Sequence, residues 1–72
     1  MQNELDKNFK FKSNESLLGA EYGSSTENLL AQKEILARMK KINTTTIEGE
    51  RLYSQMGEKV RKLKVEEKER VS

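Results

Sequence analysis

From Ile35 to Leu63, core-type positions recur at alternating intervals of four and three residues: Ile35, Met39, Ile42, Thr46, Gly49, Tyr53, Met56, Val60 and Leu63. Wound as a helix, these positions fall on one line, the seam of a coiled coil. Met39, Thr46, Tyr53 and Val60 take the a positions, and Ile35, Ile42, Gly49, Met56 and Leu63 the d positions. Leu29 and Leu36 widen the stripe at its N-terminal end by occupying e. A lone helix cannot bury such a stripe against itself. The pattern therefore predicts an all-α chain in which a single long amphipathic helix enters a coiled coil or helical bundle.

The borders of that helix are marked by local chemistry. Ser24-Ser25-Thr26-Glu27 has the Ser-x-x-Glu spacing in which a cap hydroxyl and a carboxylate satisfy free backbone donors, placing the N-cap at Ser24 or Ser25. No proline follows, and Glu34–Arg38, Glu58–Lys62 and Glu66–Arg70 are acid-before-base pairs at i,i+4. A helix over residues 26–70 would be roughly 67 Å long. One stretch opposes continuity: Asn43-Thr44-Thr45-Thr46 is a run of poor helix formers, and Thr45-x-x-Glu48 has the spacing of a second cap. A hairpin folded at residues 43–45 is the alternative. Because the seam passes through the run in register, one helix over residues 25–70 is the expectation.

Residues 1–24 read differently. Asn, Ser, Gly and Lys dominate, apolar residues are scattered, and Gly19 and Gly23 bracket a stretch without period, so a disordered N-terminal arm is expected. Within it, Phe9-Lys10-Phe11-Lys12 alternates as a strand added to a sheet edge or a membrane-surface contact would, and Leu17-Leu18 could form a small docking motif.

Composition narrows the function. With 72 residues, 33% apolar and 36% charged, the chain falls short of what a self-sufficient core of this size requires. There is no Cys and no His, which removes disulfides, thiolate and imidazole metal ligands and any near-neutral acid–base group, so neither a cofactor nor an enzymatic activity is expected. Gly49 and Gly57 lack the Lys-Ser/Thr ending of a phosphate loop. Fourteen basic against 12 acidic residues give a net charge of +2, permitting an anionic partner without requiring one. The basic runs at residues 38–41 and 59–64 carry interspersed seam residues, so a solvated coiled-coil flank is preferred to nucleic-acid binding. No apolar run approaches the length of a membrane span and no secretory h-region opens the chain, so a cytoplasmic, at most peripheral, location is expected.

The seam is uneven. Thr46 and Gly49 would face their own copies in a homodimer and leave that layer underfilled, whereas a large side chain from an unlike helix could offset them. A hetero-oligomeric coiled-coil interaction protein is the preferred reading. A homo-oligomeric scaffolding coiled coil is the first alternative, and a small basic regulator of nucleic acid or of a target enzyme the second.

Over residues 42–63 the chain resembles the helical motif of SNARE proteins, in the Qb-type branch with Vti-like and SNAP-like N-terminal motifs. The resemblance rests on Gly49, Leu52-Tyr53, Met56-Gly57-Glu58 and Leu63, preceded by the polar stretch Ile42-Asn43-Thr44-Thr45-Thr46. It implies a parallel four-helix bundle in membrane traffic. The sequence departs from the family at its central polar layer, where Lys59 stands in place of the usual glutamine, with Val60 beside it and Gln55 outside the seam. The sequence also runs into a charged tail at Ser72 where the family continues for several layers. Taken with the resemblance, these departures imply an incomplete or non-fusogenic member, such as an inhibitory or regulatory helix.

Overall fold

The chain leaves the helix after Met39 and does not re-enter it until Ile47, because the Asn and Thr side chains of residues 43–46 compete with helical backbone bonds. The Asn43 side-chain carbonyl accepts from both the backbone N–H and the hydroxyl of Thr45, at 3.0 and 2.6 Å, closing a local turn. Thr46 then caps the helix that begins at Ile47: its Oγ1 accepts from the Gly49 N–H at 3.0 Å and donates to the Asn43 carbonyl at 3.2 Å. Ahead of the turn, the preceding helix tightens into i→i+3 bonds, from Lys41 N–H to the Arg38 carbonyl and from Ile42 N–H to the Met39 carbonyl.

The computed structural model describes residues 9–71. Three helices follow a helical turn at residues 9–11: α1 (Asn14–Gly19), α2 (Ser25–Met39) and α3 (Ile47–Val71). The chain is all-helical over the described residues, as the stripe predicts. The single helix over residues 25–70 is replaced by two, α2 and α3, folded back on each other as a hairpin. The second cap falls on Thr46 rather than Thr45, one residue beyond the expected position.

Ser24 is the N-cap of α2, its Oγ accepting from the Glu27 N–H at 3.2 Å. Ser13 caps α1 in the same way through Ser16. Of the i,i+4 pairs, Glu34–Arg38 forms at 2.8 Å, while Arg70 turns to Glu67 instead of Glu66, and Glu58–Lys62 makes no ion pair.

The core lies where the segment before α2 crosses the hairpin. It contains Phe9, Leu17 and Tyr22 from that segment, Ala31 and Ile35 from α2, and Met56, Val60 and Leu63 from α3. The Phe9 and Tyr22 rings tilt together at 5.5 Å between centroids. This overturns the disordered arm for residues 9–24; its remainder, residues 1–8, lies outside the described residues. The Phe9-Lys10-Phe11-Lys12 alternation belongs to the helical turn, with Phe9 buried and Phe11 exposed, so it forms no strand. Leu17 likewise is core. A sequence with too little apolar material for one helix to sequester finds enough once two helices and a crossing segment share one interior.

Candidate functional site

The hairpin has two sides, and the crossing segment covers one of them. On that side three cations reach main-chain carbonyls of the crossing segment. The Arg38 guanidinium donates to the carbonyls of Lys12 (2.6 Å), Phe9 (3.0 Å) and Lys10 (3.4 Å), to Asn14 Oδ1 (2.9 Å), and to the Glu34 carboxylate (2.8 Å). A planar fork of five donors suits this task, because the carbonyls at a helix C-terminus converge on one point. Lys59 Nζ donates to the Ala20 carbonyl at 2.9 Å while lying 5.8 Å from the centre of the Tyr22 ring. Arg70 donates to the Tyr22 carbonyl at 3.2 Å. Tyr22 closes the set by donating its hydroxyl to the Leu17 carbonyl at 2.8 Å. Burial lifts the Tyr22 pKa above the usual tyrosine value, with Arg38 opposing the rise and Glu27 adding to it.

Between the helices, a polar pair fixes how α2 sits along α3. Asn28, fully buried, donates to the Leu63 carbonyl at 3.0 Å and accepts from Gln32 Nε2 at 2.5 Å. Leu63 lies within α3, so its carbonyl lends a second lone pair to the neighbouring helix. A buried amide satisfied in only one alignment sets register, as polar residues in coiled-coil seams do.

Among the described residues, nothing covers the other side of the hairpin. On α2, Leu29 and Leu36 lie seven residues apart on the flank opposite Glu34 and Arg38. On α3, Tyr53 and Gly57 occupy the flank away from Lys59 and Arg70. Leu29, Leu36 and Tyr53 remain 56%, 43% and 42% exposed, although each borders a buried position of the stripe. Gly57 leaves a notch in this face: a Cβ there would meet only the Met39 methyl, at an ordinary 3.6 Å.

The expected partner-binding seam is thus divided among several roles. Ile35, Met56, Val60 and Leu63 form the chain's own core, and Met39 and Ile42 pack against it half-buried. Thr46 is a cap. Gly49, expected to leave room for a bulky partner side chain, instead sits against its own turn, where an added Cβ would collide with the Asn43 carbonyl. Of the nine positions, Tyr53 alone offers a large, exposed apolar side chain.

A groove of about 450 Å³ runs between α1 and α3, lined with both acids (Glu15 and Glu58) and cations (Lys59 and Lys62). Its open, mixed-charge walls hold no group that could act as nucleophile and base together. No cluster of potential metal ligands occurs among the described residues, and no helix among them is long and apolar enough to cross a membrane.

Sequence reasoning placed Arg38 and Arg70 only in helix-surface ion pairs and Lys59 only on the stripe's edge, missing their bonds to the crossing segment, and it missed Asn28 altogether. The detectable sign for Asn28 was a polar residue at a position that continues the Ile35 stripe one heptad upstream. No family model, curated protein or solved structure matches this chain.

Proposed function

We propose that this chain is a non-enzymatic interaction protein whose strapped hairpin docks its open face on helices of an unlike partner, forming an intermolecular helical bundle. The observation that supports this is the trio Leu29, Leu36 and Tyr53: half-exposed apolar side chains on one side of the hairpin, continuous with the buried stripe. Unlike the crossing segment's side, this face has no covering layer among the described residues. In a SNARE-like bundle, by contrast, the whole seam would be shared with partners, which requires Ile35, Met56, Val60 and Leu63 to leave the core. Docking on the open face needs no such opening, and it is the reading we adopt. The proposed setting is cytoplasmic, with membrane-traffic machinery one assembly that such a bundle could serve.

The test is site-specific photo-crosslinking in the full chain. A crosslinking side chain at Leu36 should join the protein to its partner, and one at Glu58, on the exposed outer side of α3, should not. Circular dichroism of the complex should show no helix gained by this chain. Crosslinks from Ile35 accompanied by new helix would instead mean that the hairpin opens.

A further inference from the structure

Cations are in surplus on one side of the hairpin, whereas on the other they are balanced by acids. On the open face, Lys33 and Lys40 lie beside Leu29 and Leu36 on α2, and Arg61, Lys64 and Lys68 line the matching flank of α3. Glu50 is the acid on that flank. All of these side chains are exposed, and neither ion pair among the described residues uses them. On the crossing side the acids Glu27, Glu34 and Glu66, with Glu15 and Glu21 of the segment itself, stand among the cations Arg38, Lys59, Arg70, Lys10 and Lys12. A chain with a net charge of only +2 therefore presents, among the described residues, a face of five cations to one acid.

We infer that the occupant of the open face is an acidic amphipathic helix, with carboxylates flanking its apolar stripe on both sides. The inference rests on the docking reading above and names the chemistry of the partner. A helix laid along the hairpin would meet leucines and Tyr53 with its apolar stripe, fill the Gly57 notch with one large side chain, and bring its flanks beside Lys33 and Lys40 on one edge and Arg61, Lys64 and Lys68 on the other. Flanking positions of this kind select partners in coiled coils. A second copy is disfavoured by the same arrangement, because a two-fold contact would oppose the cationic face to itself. A bilayer is disfavoured because Leu29 and Leu36 are only about half exposed, so they offer little apolar surface that could insert among acyl chains.

The probe is a displayed library of amphipathic helices with Leu fixed at a and d, and Glu, Gln and Lys randomised at e and g, selected against the full chain. Glu should be recovered over Lys at least tenfold. A selected helix should lose at least tenfold in affinity when salt rises from 50 to 500 mM, and again with the double variant Arg61→Glu, Lys64→Glu, whose exposed positions leave the fold intact by circular dichroism. Equal recovery of Glu, Gln and Lys, with binding still lost in Leu36→Asp, would overturn the charge inference and leave the docking face standing. Recovery of no helix at all would overturn both. Tighter binding to phosphatidylserine vesicles, to duplex DNA, or to a second copy in sedimentation equilibrium than to any selected helix would also overturn the inference.

Discussion

On the side crossed by the N-terminal segment, cations bond to backbone carbonyls and apolar rings are sealed; on the open side, the same residue types meet water. Arg38 donates to three carbonyls, an amide and a carboxylate, whereas Arg61 is exposed and uses no ion pair among the described residues. Leu63 is fully buried, whereas Leu36, also on the hairpin stripe or beside it, is 43% exposed. Residue identity is matched across the two sides and consequence is not. What separates them is whether a third layer of chain arrives, and it arrives because Phe9, Leu17 and Tyr22 bring apolar surface while Arg38, Lys59 and Arg70 satisfy the carbonyls that surface carries with it.

The comparison is tested most severely with leucines. Leu63→Ala removes a fully buried side chain and should cost about 2–5 kcal/mol in urea unfolding. In a chain of this size that is a large share of total stability. Leu36→Ala should cost about 1 kcal/mol or less, because much of its surface is already wet, yet it should weaken partner binding. Equal losses of stability would make the open face part of the core and end the contrast.

A smaller effect separates the cations. Arg38→Lys keeps the charge but offers one ammonium where a fork serves several acceptors, so it should cost about 1.5–3 kcal/mol. Amide hydrogen exchange locates the loss: protection should fall over residues 9–22 first, while α2 and α3 keep theirs. Arg61→Lys should change stability by less than about 0.5 kcal/mol. Uniform loss of protection across the chain in Arg38→Lys would mean that the crossing segment and the hairpin are one cooperative unit rather than a strap on a frame.

The sequence made part of this architecture readable. Ile35, Met56, Val60 and Leu63 are legible as core because each lies on a helical stripe, and Ser24 as a cap because its hydroxyl sits three residues before Glu27. The fold-back was not legible in the same pattern for a physical reason: a long helix in a coiled coil and a hairpin bury the same stripe, so a seam in register through Asn43–Thr46 is compatible with both. Only the turn chemistry of Asn43 and Thr46 distinguishes them, through bonds of two or three residues' span. The crossing segment was illegible for the opposite reason. Its anchors have no period, and its polar contacts reach from Arg38 to Lys12, from Lys59 to Ala20 and from Arg70 to Tyr22, across separations of 26 to 48 residues where no local spacing rule applies.

The two glycines of α3 give the finest test, since Gly49 sits in its first turn against the Asn43 carbonyl and Gly57 in its interior. Replacing a helix-interior glycine by alanine ordinarily gains about 0.5–1 kcal/mol through lost freedom in the unfolded chain. Gly57→Ala should show that gain, because its new methyl would meet only the Met39 side chain at an ordinary distance. Gly49→Ala should instead cost about 1–3 kcal/mol, because its methyl would meet the Asn43 carbonyl, a main-chain group held in the turn by Thr46, and the turn must shift to admit it. The sign of the difference is what matters. Were Gly49→Ala to stabilise the chain, the turn at residues 43–46 would be compliant enough to straighten, and the long continuous helix would return as a reachable state of the same sequence. If it destabilises while Gly57→Ala stabilises and yet binds a selected helix less well, one glycine closes the hairpin and the other holds open the notch on its docking face.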